Sequence, residues 1–321
     1  MKQKITLLVI ILAVFSFIFI YFRYIDDEKG IMKSGYCLTG AFLADRPSQE
    51  DIEEFKHNYG KKPYLVMVFI DWGNFIPEEV YRNIFAAGSV PFITWEPWRA
   101  ETKEGVDFDQ ILNGEYDQYI IKFIKNINEF KKTVFLRFAH EASGDWYPWA
   151  GKKVGAAKLI AVQRYLKDLA EKQGPNQTKW VFSVNWQDIP ADEDNFFMNY
   201  YPGKDYVDYF GIDGYNWGDA QEWSHWMDFS KIFKESYQII ASETNKPIII
   251  SEFGSAQSGG DKAEWIKNAF KSMKKMKRIK AFILFNIDKE AAWRFRPQSA
   301  AGKQLKQELK DSYFKENWQG E

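Results

Sequence analysis

The stretch whose reading decides the fold is Phe135 to Trp149, FLRFAHEASGDWYPW. It starts apolar and ends abruptly in polar and aromatic residues. Thr133 to Ala139 reads as a buried strand, and His140 and Glu141 fall where that strand would end. Alternation along a strand puts Arg137, Ala139 and Glu141 on one face. A buried strand rarely finishes in His and Glu without a use for them, although a solvated strand end is the plain alternative. Lys246 to Gly254, KPIIISEFG, has the same shape. There Ile248, Ile250 and Glu252 are expected on one face, with Glu252 closing the strand.

Working outward, six further short apolar runs read as strands: Leu38–Ala44, Tyr64–Ile70, Val90–Thr94, Lys179–Asn185, Val207–Ile212 and Ile279–Phe285. With Thr133–Ala139 and Pro247–Ser251 they make eight. Helical patterns fall between most of them. Ser48 is placed to cap one helix and Pro77 to start another, with Glu78 and Glu79 in its first turn. Tyr116–Phe130 carries an apolar stripe at helical spacing, and Val154–Gln173 is stopped by Gly174 and Pro175. Glu222–Glu243, Lys262–Lys277 and Ala300–Phe314 complete the helices. Eight strands alternating with helices is the count of a (β/α)8 barrel, whose strand ends converge on one mouth. A doubly wound sheet is the alternative, but no glycine-rich phosphate loop follows an early strand. GSAQSGG at 254–260 has neither the dinucleotide nor the Walker spacing.

The 321 residues suffice for one large barrel domain. With 43 basic and 44 acidic residues the formal charge is −1, which gives no reason to expect a nucleic-acid partner. Cys37 is the only cysteine, so neither an intrachain disulfide nor a cysteine-based metal site is available. His57, His140 and His225 show no metal-ligand spacing, and no cofactor or metal is expected. Ile5–Phe22 is almost wholly apolar, and its 18 residues would form a helix of about 27 Å, close to one bilayer core. No small-residue cleavage site follows it. The expected organisation is a membrane anchor over residues 1–25, a short stalk over 26–35 and a monomeric barrel domain over 36–321. This implies a single-pass protein of the cell membrane with its barrel outside, or a secreted form if the segment is cleaved.

Two carboxylates at the carboxyl ends of two buried strands suit a hydrolytic pair. Carboxyls about 5.5 Å apart give retention at a sugar's anomeric carbon, one acting as nucleophile and the other as proton donor and then base. Spacing alone does not say which is which. Aromatic residues make up 18% of the chain, with 13 Trp, and aromatic platforms suit sugar rings. Trp95, Trp98 and Trp186 follow strand ends and are candidate platforms, with core or mouth packing as the alternative for each. Asp213 also ends a strand and could equally anchor a loop. Arg137 would favour ionised neighbours or serve as a structural ion pair.

RFAHEASGDWYPW at 137–149, YYPGKDYVDYFGIDGY at 200–215, KPIIISEFG at 246–254 and ITWEPW at 93–98 resemble glycoside hydrolase family 26, in the clan of retaining (β/α)8 hydrolases. The resemblance covers about residues 36–315. It implies that Glu141 is the acid/base and Glu252 the nucleophile. It implies further that His140 binds hydroxyls of the sugar that becomes covalently held, and that Tyr215 hydrogen-bonds Glu252. Trp146 would flank the cleavage point and Trp293 would stack on the glycone. The partner is then a polysaccharide. WYPW and WEPW look closer to members acting on mixed-linkage β-1,3-1,4-glucan than to mannanases, so an endo-β-glucanase is expected, with endo-β-1,4-mannanase as the alternative. A membrane-anchored polysaccharide-binding protein without catalysis is the competing class. It would have no need of both glutamates.

Overall fold

The computed structural model describes residues 35–318. Eight strands form the barrel: β1 (Gly40–Phe42), β2 (Leu65–Asp71), β3 (Val90–Glu96), β4 (Val134–Phe138), β5 (Thr178–Asn185), β6 (Tyr209–Asn216), β7 (Ile248–Ser255) and β8 (Ile279–Phe285). Each pairs in parallel with its neighbour in chain order, and β8 pairs with both β7 and β1, which closes the sheet. Closure removes every exposed edge along the barrel wall. At the opposite end from the mouth, Cys37–Leu38 and Phe314–Lys315 add a short parallel extension beside β8.

Around the barrel lie α1 (Gln49–Tyr59), α2 (Glu78–Ala86), α3 (Asp117–Asn128), α4 (Ala156–Lys172), α5 (Phe229–Glu243), α6 (Lys262–Lys275) and α7 (Ala300–Leu309). Local chemistry sets their ends. Ser48 caps α1 in a capping box with Asp51, and Gly60 closes it in the left-handed region at φ 87°. In α3 the stripe Ile120, Phe123, Ile124 and Ile127 is buried against the barrel. Between β5 and β6 only two 3-10 turns, Glu193–Asn195 and Phe197–Tyr200, take the helix position. Two expected helices are shorter than their patterns. Residues 222–228 are irregular and α5 begins only after Asp228, while α7 stops at Leu309 and Phe314 opens a short strand.

Alternation sorts the strands into two cores. Outward residues such as Val66, Ile93, Leu136, Phe210 and Ile250 pack under the helices. Inward residues Leu65, Met67, Phe92, Phe135, Val181, Tyr209 and Ile249 fill the lower barrel. Toward the mouth the inward layer turns polar, at Thr94, Arg137, Ser183, Asp213 and Ser251. Gly211 is required there, because a Cβ would sit 2.5 Å from the Ser251 Oγ and 2.7 Å from the Ser183 Oγ.

One part of the expected architecture is corrected. No helix among the described residues is long and apolar enough to cross a membrane. The reason is visible in the helices themselves: charged side chains interrupt the outer face of each. The anchor expected at residues 5–22, and the stalk after it, lie outside the described residues. The transmembrane helix, the bilayer as partner and the single-pass placement at the cell membrane are therefore withdrawn. The fold that stands is the (β/α)8 barrel.

Candidate active site

The site is assembled on Arg137, which projects inward from β4 and is fully buried. Burial alone would expel such a charge, so its donors are all engaged. Nε and Nη2 donate to the Thr94 Oγ1 at 3.1 and 2.8 Å, and Nη1 donates to the Ser183 Oγ at 3.3 Å and to Asp213 at 2.7 Å. Nη2 also donates to the Glu252 Oε1. The Phe69 and Phe92 rings lie 5.9 and 5.5 Å from the guanidinium. Asp213 accepts from the Ser251 Oγ at 2.5 Å and from the Ser183 Oγ at 3.0 Å. Burial pushes its carboxyl up to about 7 against the pull of Arg137.

Glu252 reaches this layer through an irregularity. In a regular strand it would share a face with Ile248 and Ile250, as expected from alternation. Instead those isoleucines pack outward under the helices, while Ser251 and Glu252 both contact inward groups. The register of β7 slips between Ile250 and Glu252 against β6 and between Ile250 and Phe253 against β8. Such a bulge re-aims one side chain. Glu252 is not the last residue of its strand, which runs on to Ser255. Besides Arg137, its carboxylate accepts from the Tyr215 hydroxyl, which projects from β6. Burial and the Glu252 charge push that phenol well above its usual range, so it remains a donor.

Glu141 arrives differently. β4 ends at Phe138, and Ala139 and Glu141 take the left-handed region at φ 48° and 53°, a conformation that costs a non-glycine residue energy. The turn is held by backbone bonds from Ala139 N–H to the Trp95 carbonyl and from Glu141 N–H to the Ser183 carbonyl. Glu141 is thus not the strand residue that alternation implied. Among the described residues its one side-chain hydrogen bond is from the Trp146 Nε1 at 3.0 Å. Gly144 makes room for that indole, since a Cβ would lie 2.4 Å from the ring. Burial pushes the Glu141 carboxyl well above the usual carboxylate range, and the charges of Asp213 and Glu252 add to it.

His140 is buried beside the pair, with Nε2 3.1 Å from the Tyr147 hydroxyl and no partner for Nδ1 among the described residues. Burial and the Arg137 charge keep it neutral. Behind it Tyr147 and Trp149 stack at 4.1 Å, with the Trp98 ring edge-on to both. Trp149 is buried, and its Nε1 donates to the His140 carbonyl. WYPW is therefore mostly a buttress for His140, and only Trp146, 43% exposed, stands open.

The other tryptophans separate. Trp95 faces outward from β3 and is fully buried, stacked between Trp72 and Phe123; it lies in the helix layer, away from the cleft. Trp98 is half-buried and donates to Glu96. Trp186 is half-buried after β5, where its carbonyl accepts from Ser236. Trp293 is 1% exposed, beneath Tyr215 and Trp217. Glu96 was not singled out in the sequence, although counting by twos from the inward Phe92 reaches it through Thr94. Burial pushes its carboxyl up to about 7. Among the described residues no three His, Cys, Asp or Glu side chains gather as a metal ion would require.

A closed parallel barrel with two unlike carboxyls at its carboxyl-end mouth is the arrangement that (β/α)8 glycoside hydrolases use. Residues 49–288 match the family described as Glycosyl hydrolase family 26, and the chain belongs to that family. The match runs from the start of α1 to just past β8 and so takes in the whole barrel wall from β2 on. Its relatives include Endoglucanase H of Acetivibrio thermocellus, 39% identical over 267 residues that cover 79% of this chain and 28% of that protein. A mannan endo-1,4-beta-mannosidase of Thermothelomyces thermophilus is 28% identical over 120 residues, covering 37% of this chain and 22% of that one. The chain thus spans roughly a quarter of the length of these relatives. Among solved structures, the catalytic domain of the Bacillus sp. JAMB-750 GH26 endo-beta-1,4-mannanase superposes with a TM-score of 0.65. It is 16% identical, and the match covers 90% of this chain and 89% of that one.

Proposed function

We propose that the barrel, residues 36–321, hydrolyses internal β-linkages of a polysaccharide by double displacement, with Glu252 as nucleophile and Glu141 as acid and then base. The observation that carries the roles is the contrast between the two carboxyls. Glu252 is held in place by a cation and a phenol that both donate to its oxygens, which suits a nucleophile. Glu141 is buried beside other acids with a single indole donor, which favours its protonated form. In the first step a Glu252 oxygen attacks the anomeric carbon while Glu141 gives its proton to the departing glycosidic oxygen. In the second step Glu141 takes a proton from water. The water oxygen displaces Glu252 from the anomeric carbon, and net retention results. His140 and Tyr215 are placed to hydrogen-bond the sugar in between, and Trp146 to flank the leaving side.

For the sugar, the mixed-linkage glucan reading rested on WYPW and WEPW, and two of their tryptophans, Trp95 and Trp149, are buried and offer no platform. No relative named above carries that substrate in its name. Mannan is the first reading, in line with the mannosidase among the relatives. Glucan is the second, favoured by the 39% identity to a protein named an endoglucanase. The two backbones differ at the sugar's O2. Digestion of galactomannan, glucomannan, lichenan, barley β-glucan, cellulose and xylan, with products separated, tests this. Turnover of galactomannan and glucomannan above all glucans is expected. The reverse order would exchange the readings, and inertness on the whole panel would remove the glycanase assignment.

A further inference from the structure

A series of aromatic rings leads away from Glu252. Tyr215, bonded to the Glu252 carboxylate, lies 4.8 Å from Trp293. Trp293 lies 4.8 Å from Trp217, edge to face, and Trp217 lies 5.3 Å from Trp223. From Trp293 outward exposure rises. Trp293 is buried at 1%, Tyr215 and Trp217 are half-buried, and Trp223 is 70% exposed, the most open large apolar side chain among the described residues.

The loop that presents Trp223 is built rigidly. Asn216, fully buried at the end of β6, donates to the Ser255 Oγ at 2.9 Å and accepts from the backbone of Gly218 at 3.3 Å and Met227 at 2.8 Å. Ser224 ties the interior of the loop by donating to the Gly218 carbonyl at 2.6 Å and accepting from the Gln221 N–H. Gly218 passes so close to the next loop that a Cβ would lie 1.9 Å from the Ser258 carbonyl oxygen. Trp265 pins the far end through the Met227 carbonyl. The backbone on either side of Trp223 is thus tied down, and its indole stands in water with the Trp217 ring as neighbour. An indole so placed forgoes the burial that usually stabilises it.

What covers it follows from its surroundings. Its neighbours Asp219 and Glu222 are exposed and Ser224 is polar, so the open apolar area is one ring, well short of a protein-interface patch. A single apolar face among hydroxyl-binding groups, continuous with a glycan cleft, matches the C–H face of a pyranose. We infer that Trp217 and Trp223 form a distal subsite that binds further sugar residues of the same β-linked chain on the Glu252 side. Trp293 lies beneath it as a prop. The inference rests on the glycanase reading of the cleft.

The test uses the full chain with Glu252→Ala, which binds without cleaving. Calorimetry would follow β-1,4-linked manno- and gluco-oligosaccharides from trisaccharide to hexasaccharide, with and without Trp223→Ala. Affinity should rise with length, and Trp223→Ala should remove about five- to ten-fold of that rise. Trp223→Phe, which keeps a ring, should restore part of it. In the cleaving enzyme, Trp223→Ala should lower the hexasaccharide-to-trisaccharide ratio of kcat/KM by the same factor. An unchanged length dependence in an enzyme that does cleave polysaccharide would overturn the subsite alone. If the parent cleaves no β-glycan and Glu252→Ala binds no oligosaccharide, the underlying reading falls and the subsite with it.

Discussion

The ends of β4 and β7 carry the same chemical group in opposite surroundings. At the β7 bulge, Glu252 is clamped by Arg137 and Tyr215 in a layer where almost every polar atom has a partner. At the β4 turn, Glu141 sits past the strand on left-handed backbone, near acids, with one indole for company. The difference shows how one fold gives two buried carboxyls unlike partners: a cation and a phenol donate to one, while burial beside other acids pushes the other upward.

The sharpest way to break that comparison is to remove each carboxyl in turn. Glu252→Ala should lower kcat on polysaccharide by about 10⁴-fold or more, since no covalent intermediate can form. Glu141→Ala should cost about 10²- to 10⁴-fold on polysaccharide. A dinitrophenyl glycoside needs no proton for the first step, so this variant should give a burst and accumulate intermediate. Azide should then rescue the second step with retained configuration, whereas azide with Glu252→Ala should give inverted product. Proton NMR of the two adducts decides, and the opposite pattern would mean that the roles are exchanged.

Next in size is Arg137→Met. The side chain is buried between two carboxyls, so its loss strands both in the barrel. Unfolding by urea should show a destabilisation of about 3–5 kcal/mol. A midpoint within error of the parent would mean that Asp213 and Glu252 do not depend on this cation, and the contrast between the two strand ends would lose its cause.

Much of this frame was legible in the sequence. The eight apolar runs, the Ser48 cap and the stripe of α3 follow local rules that tertiary structure did not override. What alternation could not foresee were its own exceptions. The Ile250/Glu252 slip and the left-handed Ala139 and Glu141 are fixed by contacts with other strands, such as the Ser183 carbonyl that holds the Glu141 N–H. The same holds for the tryptophans. Trp95 and Trp98 sit three residues apart in WEPW, yet one packs outward under α3 and the other faces the mouth side against Tyr147. Sequence gives the aromatic type, whereas the side of the wall is set by strand parity. Counting from Phe92 puts Trp95 out and Glu96 in.

Tyr215→Phe sharpens the β7 side. It removes one donor from the Glu252 carboxylate while leaving Arg137 in place. A hydrogen bond to a charged group contributes about 1.5–3 kcal/mol, so kcat/KM should fall about ten- to a hundred-fold. With an activated aryl glycoside, whose first step needs no acid, the fall should persist, because the lost donor acts on the nucleophile and not on the leaving group. A change confined to KM would make Tyr215 a sugar ligand without influence on the carboxylate.

The smallest effect is expected on the β4 side, and its sign is the informative part. Glu141 must be protonated for the first step, so activity should be lost as pH rises through its pKa, which burial holds above the ordinary carboxylate range. The Trp146 hydrogen bond opposes that rise, because an N–H donor favours the ionised form. Trp146→Phe keeps an aromatic ring and deletes the donor. The basic limb of kcat/KM should therefore move to higher pH, by about one unit or less for a bond of ordinary strength. Loss of a sugar contact alone would scale the whole profile down without moving the limb. A shift to lower pH would mean that the indole was shielding Glu141 from water more than it was bonding to it, and that burial by Trp146 keeps the acid protonated.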